Sequence, residues 1–183
     1  MSSEKEKMLA GEFYNASDEE LTREREYARN VTFEFNHTRP IEKERRQKFL
    51  KQLIIAKGSF YIEAPFNCDY GYNIEVGENF YANFGCTILD VNKVKIGDNV
   101  LLAPNVQIYT ATHPIDPVER ASGKEYAKPI VIGNNVWVGG GTIICPGVKI
   151  GDNVTIGAGS VVTKDIPDNV VAAGNPCRII TSI

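Results

Sequence analysis

Residues 132–167 read IGNNVW VGGGTI ICPGVK IGDNVT IGAGSV VTKDIP, one block of six after another. Each block opens on an aliphatic side chain: Ile132, Val138, Ile144, Ile150, Ile156 and Val162. The fifth place is small or β-branched in Val136, Thr142, Val148, Val154 and Ser160. A period of six suits neither a helix, at about 3.6 residues per turn, nor a flat strand, at about two. It suits a chain that runs a short strand, turns, and brings the same position inward each time. Gly, Asn and Asp collect at the second to fourth places, where turns need a positive φ or a side chain bonded back to the backbone. The pattern predicts a hexapeptide-repeat parallel β-helix.

Upstream the same texture returns at Val76, Ala82 and Ile88, slips by two residues, and resumes at Ile96, Leu102 and Ile108. Between Tyr109 and Pro129 it breaks: YTATHPIDPVERASGKEYAKP. Long irregular segments inside compact domains are usually functional, and insertions into repeats gather on one face. This one carries one of the chain's two histidines. Residues 1–58 read as a helical cap, and 59–183 as the coil with its insert at 109–129 and a short tail, VVAAGNPCRII. In the cap, Ser17-Asp-Glu-Glu20 has the spacing of a capping box for a helix running to Asn30. Pro40 suits a first helical position, and Ile41, Phe49, Leu50, Leu53 and Ile54 give an apolar helix face ending at Gly58.

The chain has 183 residues, 43% hydrophobic and 23% charged, which allows one domain with a substantial core. A net charge of −3 supplies no basic field for nucleic acid or an anionic membrane. MSSEKEKMLAGE lacks the apolar core of a signal peptide, and no run is long enough to span a bilayer. Cys68, Cys86, Cys145 and Cys177 are widely spaced and form no CxxC pair. Reduced thiols in a cytoplasmic protein are the expectation.

The hexads, the leading EKEKMLAGE, the phrase CDYGYNI from Cys68, the run YTATHPIDPV from Tyr109 and the ending GNPCRII together resemble the sugar O-acetyltransferases of the hexapeptide-repeat superfamily. The maltose branch is nearer than the galactoside or nodulation branches. The resemblance implies a left-handed coil of triangular section, with Ile132 stacked on Ile150, Val138 on Ile156 and Ile144 on Val162. It also implies a homotrimer with acetyl-CoA lying between neighbouring coils, a sugar acceptor, and no required metal.

On that resemblance His113 is the general base. A sugar hydroxyl is a poor nucleophile at neutral pH, and an imidazole titrating near neutrality is suited to taking its proton. Asn83 matches an asparagine that helps stabilise the oxyanion, an amide N–H being an apt donor there; an asparagine in a turn or internal ladder is the plainer use. Asp69 and Asp90 match acceptor-binding positions, since a carboxylate can take two hydroxyls at once, although turn capping accounts for either. Val91 stands where the galactoside branch has a second acid. The coenzyme is expected along Trp137, Gly139, Gly140 and Ala158, with Thr163 and Lys164 near its adenosine end and Arg178 on a phosphate. His37 is expected to bond locally near the Pro40 helix start.

Other classes remain distinguishable. Related acyltransferases acting on a galactoside, an amino acid, an amine or an antibiotic would keep the coil and His113. A zinc hydratase on this coil needs three histidines, more than the chain has. A non-catalytic scaffold would favour flat faces with regular polar ladders, and the sequence displays none.

Overall fold

The computed structural model describes residues 2–183. From Ile55 onward the chain winds as a solenoid whose strands stack into three parallel faces. The first face carries Ile55–Ala56, Ile74–Val76, Val94–Ile96, Ile130–Ile132 and Lys149–Ile150. The second carries Phe60–Ile62, Phe80–Ala82, Leu101–Leu102, Trp137–Val138, Thr155–Ile156 and Val170–Ala173, with Arg178–Ser182 added antiparallel. The third carries Asn67–Cys68, Thr87–Leu89, Gln107–Tyr109, Ile143–Ile144 and Val161–Val162. The expected stacking is present: Ile132 pairs with Ile150, Val138 with Ile156 and Ile144 with Val162. The block-opening side chains are buried and fill the interior. Each coil alone would leave that apolar row wet, so stacking is what stabilises it.

Strand register shows where the hexads fail. From Ile55 to Tyr61 to Asn67 the steps are six and six, but the step to Glu75 is eight. Glu75, Tyr81 and Thr87 are again six apart, and Lys95 follows after eight. Lys95, Leu101 and Gln107 repeat the sixes, and Val131 follows after twenty-four. Beyond it every step from Val131 through Trp137 and Ile143 to Lys149 is six. All the extra residues therefore leave at one edge, between the third and first faces.

A polar ladder does exist, contrary to the reading of the sequence. Asn79, Asn99, Asn135, Asn153 and Asn169 all adopt positive φ. Each of the first four donates its side-chain amide to the next carbonyl oxygen, at 2.8–3.1 Å. Beside it Asp98, Asn134, Asp152 and Asp168 each accept the backbone N–H of the residue one coil earlier, at 2.6–2.8 Å. The ladder follows the edge between the first and second faces, where left-handed backbone suits Asn. It does not spread over a flat face as a scaffold would have it.

The cap closes the first end of the coil. Helix α1 spans Glu4–Ala10, α2 Glu19–His37 and α3 Lys43–Leu53. Ala28, Val31, Phe35, Leu50, Leu53 and Ile54 join the interior of the coil in one core. Three local expectations are corrected. The capping box belongs to α1, where Ser3 and Glu6 bond reciprocally, whereas α2 is capped by Asp18, whose carboxylate accepts from Glu20 and Leu21. Helix α2 continues through Phe33 to His37 rather than stopping at Asn30, because Val31 and Phe35 keep its buried face going. Pro40 lies in the turn ahead of α3, whose N-cap is Glu42. The coil itself starts at Ile55, inside the stretch assigned to the cap, because Ile55 already pairs with Glu75. Among the described residues no helix is long and apolar enough to cross a membrane, and Cys68, Cys86, Cys145 and Cys177 are free thiols.

Candidate active site

The insert is ordered by pairing with the cap. Ala111–Thr112 and Lys124–Ala127 form an antiparallel pair, and Tyr14–Asn15 of the cap adds to the outer side of Lys124–Ala127. Between the hairpin strands, Pro117–Ala121 makes helix α4, capped by Asp116, which accepts the Glu119 N–H at 2.8 Å. The segment is thus a two-stranded hairpin with a short helix, completed to a three-stranded sheet by a strand of the cap, rather than an irregular loop.

His113 follows the first hairpin strand and is exposed. Its Nδ1 lies 3.4 Å from the Lys124 carbonyl oxygen across the hairpin. A proton held on Nδ1 toward that carbonyl leaves Nε2 as the basic nitrogen. The next residue, Glu125, brings a second carboxylate close to Asp69 of the coil. The Asp69 carboxyl is pushed above its usual range by burial first and by the Glu125 carboxylate second, with Arg25 and Arg29 of α2 opposing. Arg25 donates to the Tyr70 hydroxyl at 2.7 Å and to the Ala16 carbonyl at 2.6 Å. Tyr14 and Tyr70 are buried beside it, and burial pushes both phenols up. Arg25, Arg29, Glu125 and Tyr70 stand near Asp69, with Tyr14 beside Glu125 and Tyr70; the sequence did not single them out, since only the register of cap, insert and coil reveals them.

Asp90 is corrected as an acceptor contact. It is fully buried at the same edge. One carboxylate oxygen accepts the N–H groups of Asp69 at 3.0 Å and Tyr70 at 2.9 Å, and the other that of Asn73 at 3.3 Å. Asn73 returns a bond to the Asp90 carbonyl at 2.8 Å and accepts from Lys93 at 2.7 Å. Asp90 therefore shapes the loop that presents Asp69. Burial pushes its pKa up to about 7, against the lowering effect of those N–H donors. The capping use weighed from sequence is the one found.

Asn83 leaves the coil at a different edge, between the second and third faces. Its side-chain oxygen accepts the Phe84 N–H at 2.8 Å, which leaves the amide nitrogen as the outward end. Gly139, Gly140 and Ala158 line the same edge on later coils, and Trp137 stands exposed on the adjoining second face. A Cβ on Gly139 would fall 2.5 Å from the Ala158 nitrogen, so glycine is needed there for coil stacking whatever else passes by. A Cβ on Gly140 would lie 3.2 Å from the Pro104 backbone oxygen, closer than ordinary van der Waals contact, so that backbone would have to give slightly. Thr163 is exposed just beyond the third face. Lys164 and Arg178 meet in a shallow depression with Asp165, Ile166, Cys177 and Ile179. Two cations thus converge near the end of the coil.

His113 and Asp69 share one edge of the coil, whereas Asn83 and the glycines occupy another. The second face between the Asn ladder and the glycines turns Tyr61, Tyr81, Leu101 and Trp137 outward in one column. His37 is the last residue of α2, with Nδ1 2.8 Å from the Phe33 carbonyl and its ring against Phe33 at 4.0 Å, a local role as expected.

Residues 7–58 match the model of the maltose acetyltransferase hexapeptide capping motif, and residues 129–164 that of the bacterial transferase hexapeptide with six repeats. A solved maltose O-acetyltransferase from Clostridium difficile 630 is 60% identical, with a TM-score of 0.97 over 100% of this chain and 98% of that one. The galactoside O-acetyltransferase of Escherichia coli K12 is 49% identical, across 97% of this chain and 88% of its own length. A solved galactoside acetyltransferase in complex with coenzyme A is 47% identical, with a TM-score of 0.96 over 100% of this chain and 92% of that one.

Proposed function

The chain belongs to the hexapeptide-repeat acetyltransferases that carry the maltose acetyltransferase capping motif, and from that premise we propose that it moves acetyl from acetyl-CoA to a hydroxyl of a maltose- or glucose-like sugar. The observation that carries the mechanism is His113, exposed on an ordered hairpin with Nδ1 turned to a backbone carbonyl. Nε2 takes the proton of the sugar hydroxyl as that oxygen attacks the thioester carbonyl. The tetrahedral oxyanion receives an N–H from the Asn83 amide. When the carbon–sulfur bond breaks, the thiolate leaves with the proton held by His113. No acyl-enzyme intervenes. Asp69 accepts bonds from acceptor hydroxyls on a loop held by Asp90.

Acetyl-CoA lies along the edge of Gly139, Gly140 and Ala158 beside Trp137, with Thr163, Lys164 and Arg178 toward its phosphates and adenosine. The solved relative holding coenzyme A supports this choice of co-substrate. The separation of His113 and Asn83 onto different edges supports a homotrimer whose sites form between copies. The apolar column on the second face is the surface such an assembly covers.

Thiol release from acetyl-CoA, measured with maltose, glucose, a β-galactoside, serine and a simple amine, tests the proposal. Sugar-dependent release should fall about a hundredfold or more in His113→Ala. Release with the amine alone moves the acceptor to nitrogen. Silence across the panel, with no stabilisation of the fold by coenzyme A, overturns the reading.

A further inference from the structure

Among the described residues, the one buried side chain with unpaired nitrogens is a cation. Arg46 of α3 is 5% exposed, and its Nε and Nη2 make no hydrogen bond. Its guanidinium lies over the Phe35 ring of α2, 4.8 Å from the centroid. The one ion pair it forms is with Glu63, whose Oε2 is 3.9 Å from Nη2, too far for a hydrogen bond. Stability does not explain such a residue. A buried ion pair with nitrogens left unpaired is in general no better than well-packed apolar side chains of similar volume.

Its place in the fold does explain it. Glu63 opens the corner at residues 63–66, which joins the second face to the third on the first coil. Directly above lies the corner at 83–86 that carries Asn83. The two corners are laced together: Glu63 donates its backbone N–H to Ala82 at 2.8 Å, Gly85 to Pro65 at 2.9 Å and Asn67 to Cys86 at 3.2 Å. Later corners on this edge rest on a coil, whereas the corner at 63–66 is the first and rests on the cap. Asn36 of α2 fixes one end of it, accepting the Phe66 N–H and donating to the Phe66 carbonyl, both at 2.9 Å. Arg46 faces Glu63 at the other end. We infer that Arg46, acting through Glu63, is a positioning residue for Asn83: it sets the floor of the corner from which the Asn83 amide meets the oxyanion. Misplacing a catalytic group by about 1 Å can cost about a hundredfold in rate, so a small shift of that floor matters. The inference rests on the oxyanion role proposed above for Asn83.

Steady-state acetyl transfer to the most active acceptor of the panel above, beside thermal unfolding of the full chain, tests it with Arg46→Met, Asn83→Ala and the double variant. Met keeps aliphatic bulk on Phe35 and removes the charge. Arg46→Met should lower kcat about tenfold, leave KM for acetyl-CoA unchanged and not lower the melting temperature. Asn83→Ala should lower kcat about a hundredfold, and adding Arg46→Met should then cost nothing more, because Arg46 acts only through that amide. Glu63→Gln, at a partly exposed position, should reproduce the loss in kcat and its dependence on Asn83. A lower melting temperature with kcat kept, or equal losses in kcat with and without Asn83, overturns the positioning role and leaves that of Asn83 intact. An Asn83→Ala variant as fast as the native protein removes the oxyanion reading, and the role of Arg46 with it.

Discussion

Asp90 gives the sharpest quantitative test of the site's construction. In the unfolded chain its carboxyl titrates near the ordinary 3.8, and in the native protein at about 7. Between these values the native state holds a proton that the unfolded state has lost. Stability from this group is therefore full below about pH 4 and is lost as pH rises through about 7. Three pH units at about 1.4 kcal/mol each make this a loss on the order of 4 kcal/mol. Asp90→Asn removes the titration but keeps an oxygen for the Asp69 and Tyr70 N–H groups, so its stability should be nearly flat where the native protein's falls. Asp90→Ala is flat as well but lower, because three buried N–H groups lose their acceptor at about 1–3 kcal/mol apiece. The assay is urea unfolding from pH 4.5 to 8 at one protein concentration, since an oligomer's stability depends on it. The informative quantity is the difference in pH slope between native and Asp90→Asn. Parallel slopes would refute the assignment of a buried, late-titrating carboxyl to this loop.

Paired glycine variants separate coil stacking from coenzyme contact. Gly139→Ala should destabilise by about 1–3 kcal/mol in thermal unfolding, because its methyl meets the Ala158 backbone. Gly140→Ala, whose methyl meets only the Pro104 oxygen at 3.2 Å, should lower the melting temperature less than Gly139→Ala does and raise KM for acetyl-CoA. Asn135→Ala removes two ladder bonds and places alanine at φ 56°, so a loss of about 2–3 kcal/mol is expected by the same method. Lys164→Ala and Arg178→Ala should each raise KM for acetyl-CoA several-fold, less so at high salt, with KM for the sugar unmoved.

The coil was legible because one inward position recurs every six residues, and the chain repeats that signal until noise is averaged away. Ile132 over Ile150 needed, beyond counting, the three hexads per turn that the family resemblance implies. The Asn ladder uses the same repeats yet escaped notice, because its members are 20, 36, 18 and 16 residues apart and align only once the eight-residue steps and the insert are placed. His113 stood out as a rare residue in a break of pattern. Its carbonyl partner, and the Glu125 and Arg25 that flank Asp69, depend on a hairpin pairing with the cap across more than a hundred residues, and no local periodicity encodes that. Asp90 misled for a related reason. A carboxylate beside a loop looks alike in sequence whether it faces a ligand or the loop's own N–H groups.

The confinement of every irregular step to a single edge divides the chain into a part under strict metric constraint and a part under almost none. An insertion on the other two edges shifts all later coils out of register, whereas one at the third-to-first edge bulges outward and leaves the next rung where it was. Selection can therefore lengthen, shorten or replace the tip of the hairpin without renegotiating the core, and an engineer can graft a different loop between Pro114 and Gly123 on the same terms, leaving His113 and both hairpin strands in place. On the proposed function, the acceptor range of such a protein is free to drift while the edge proposed for the coenzyme, built on the strict hexads, stays as it is.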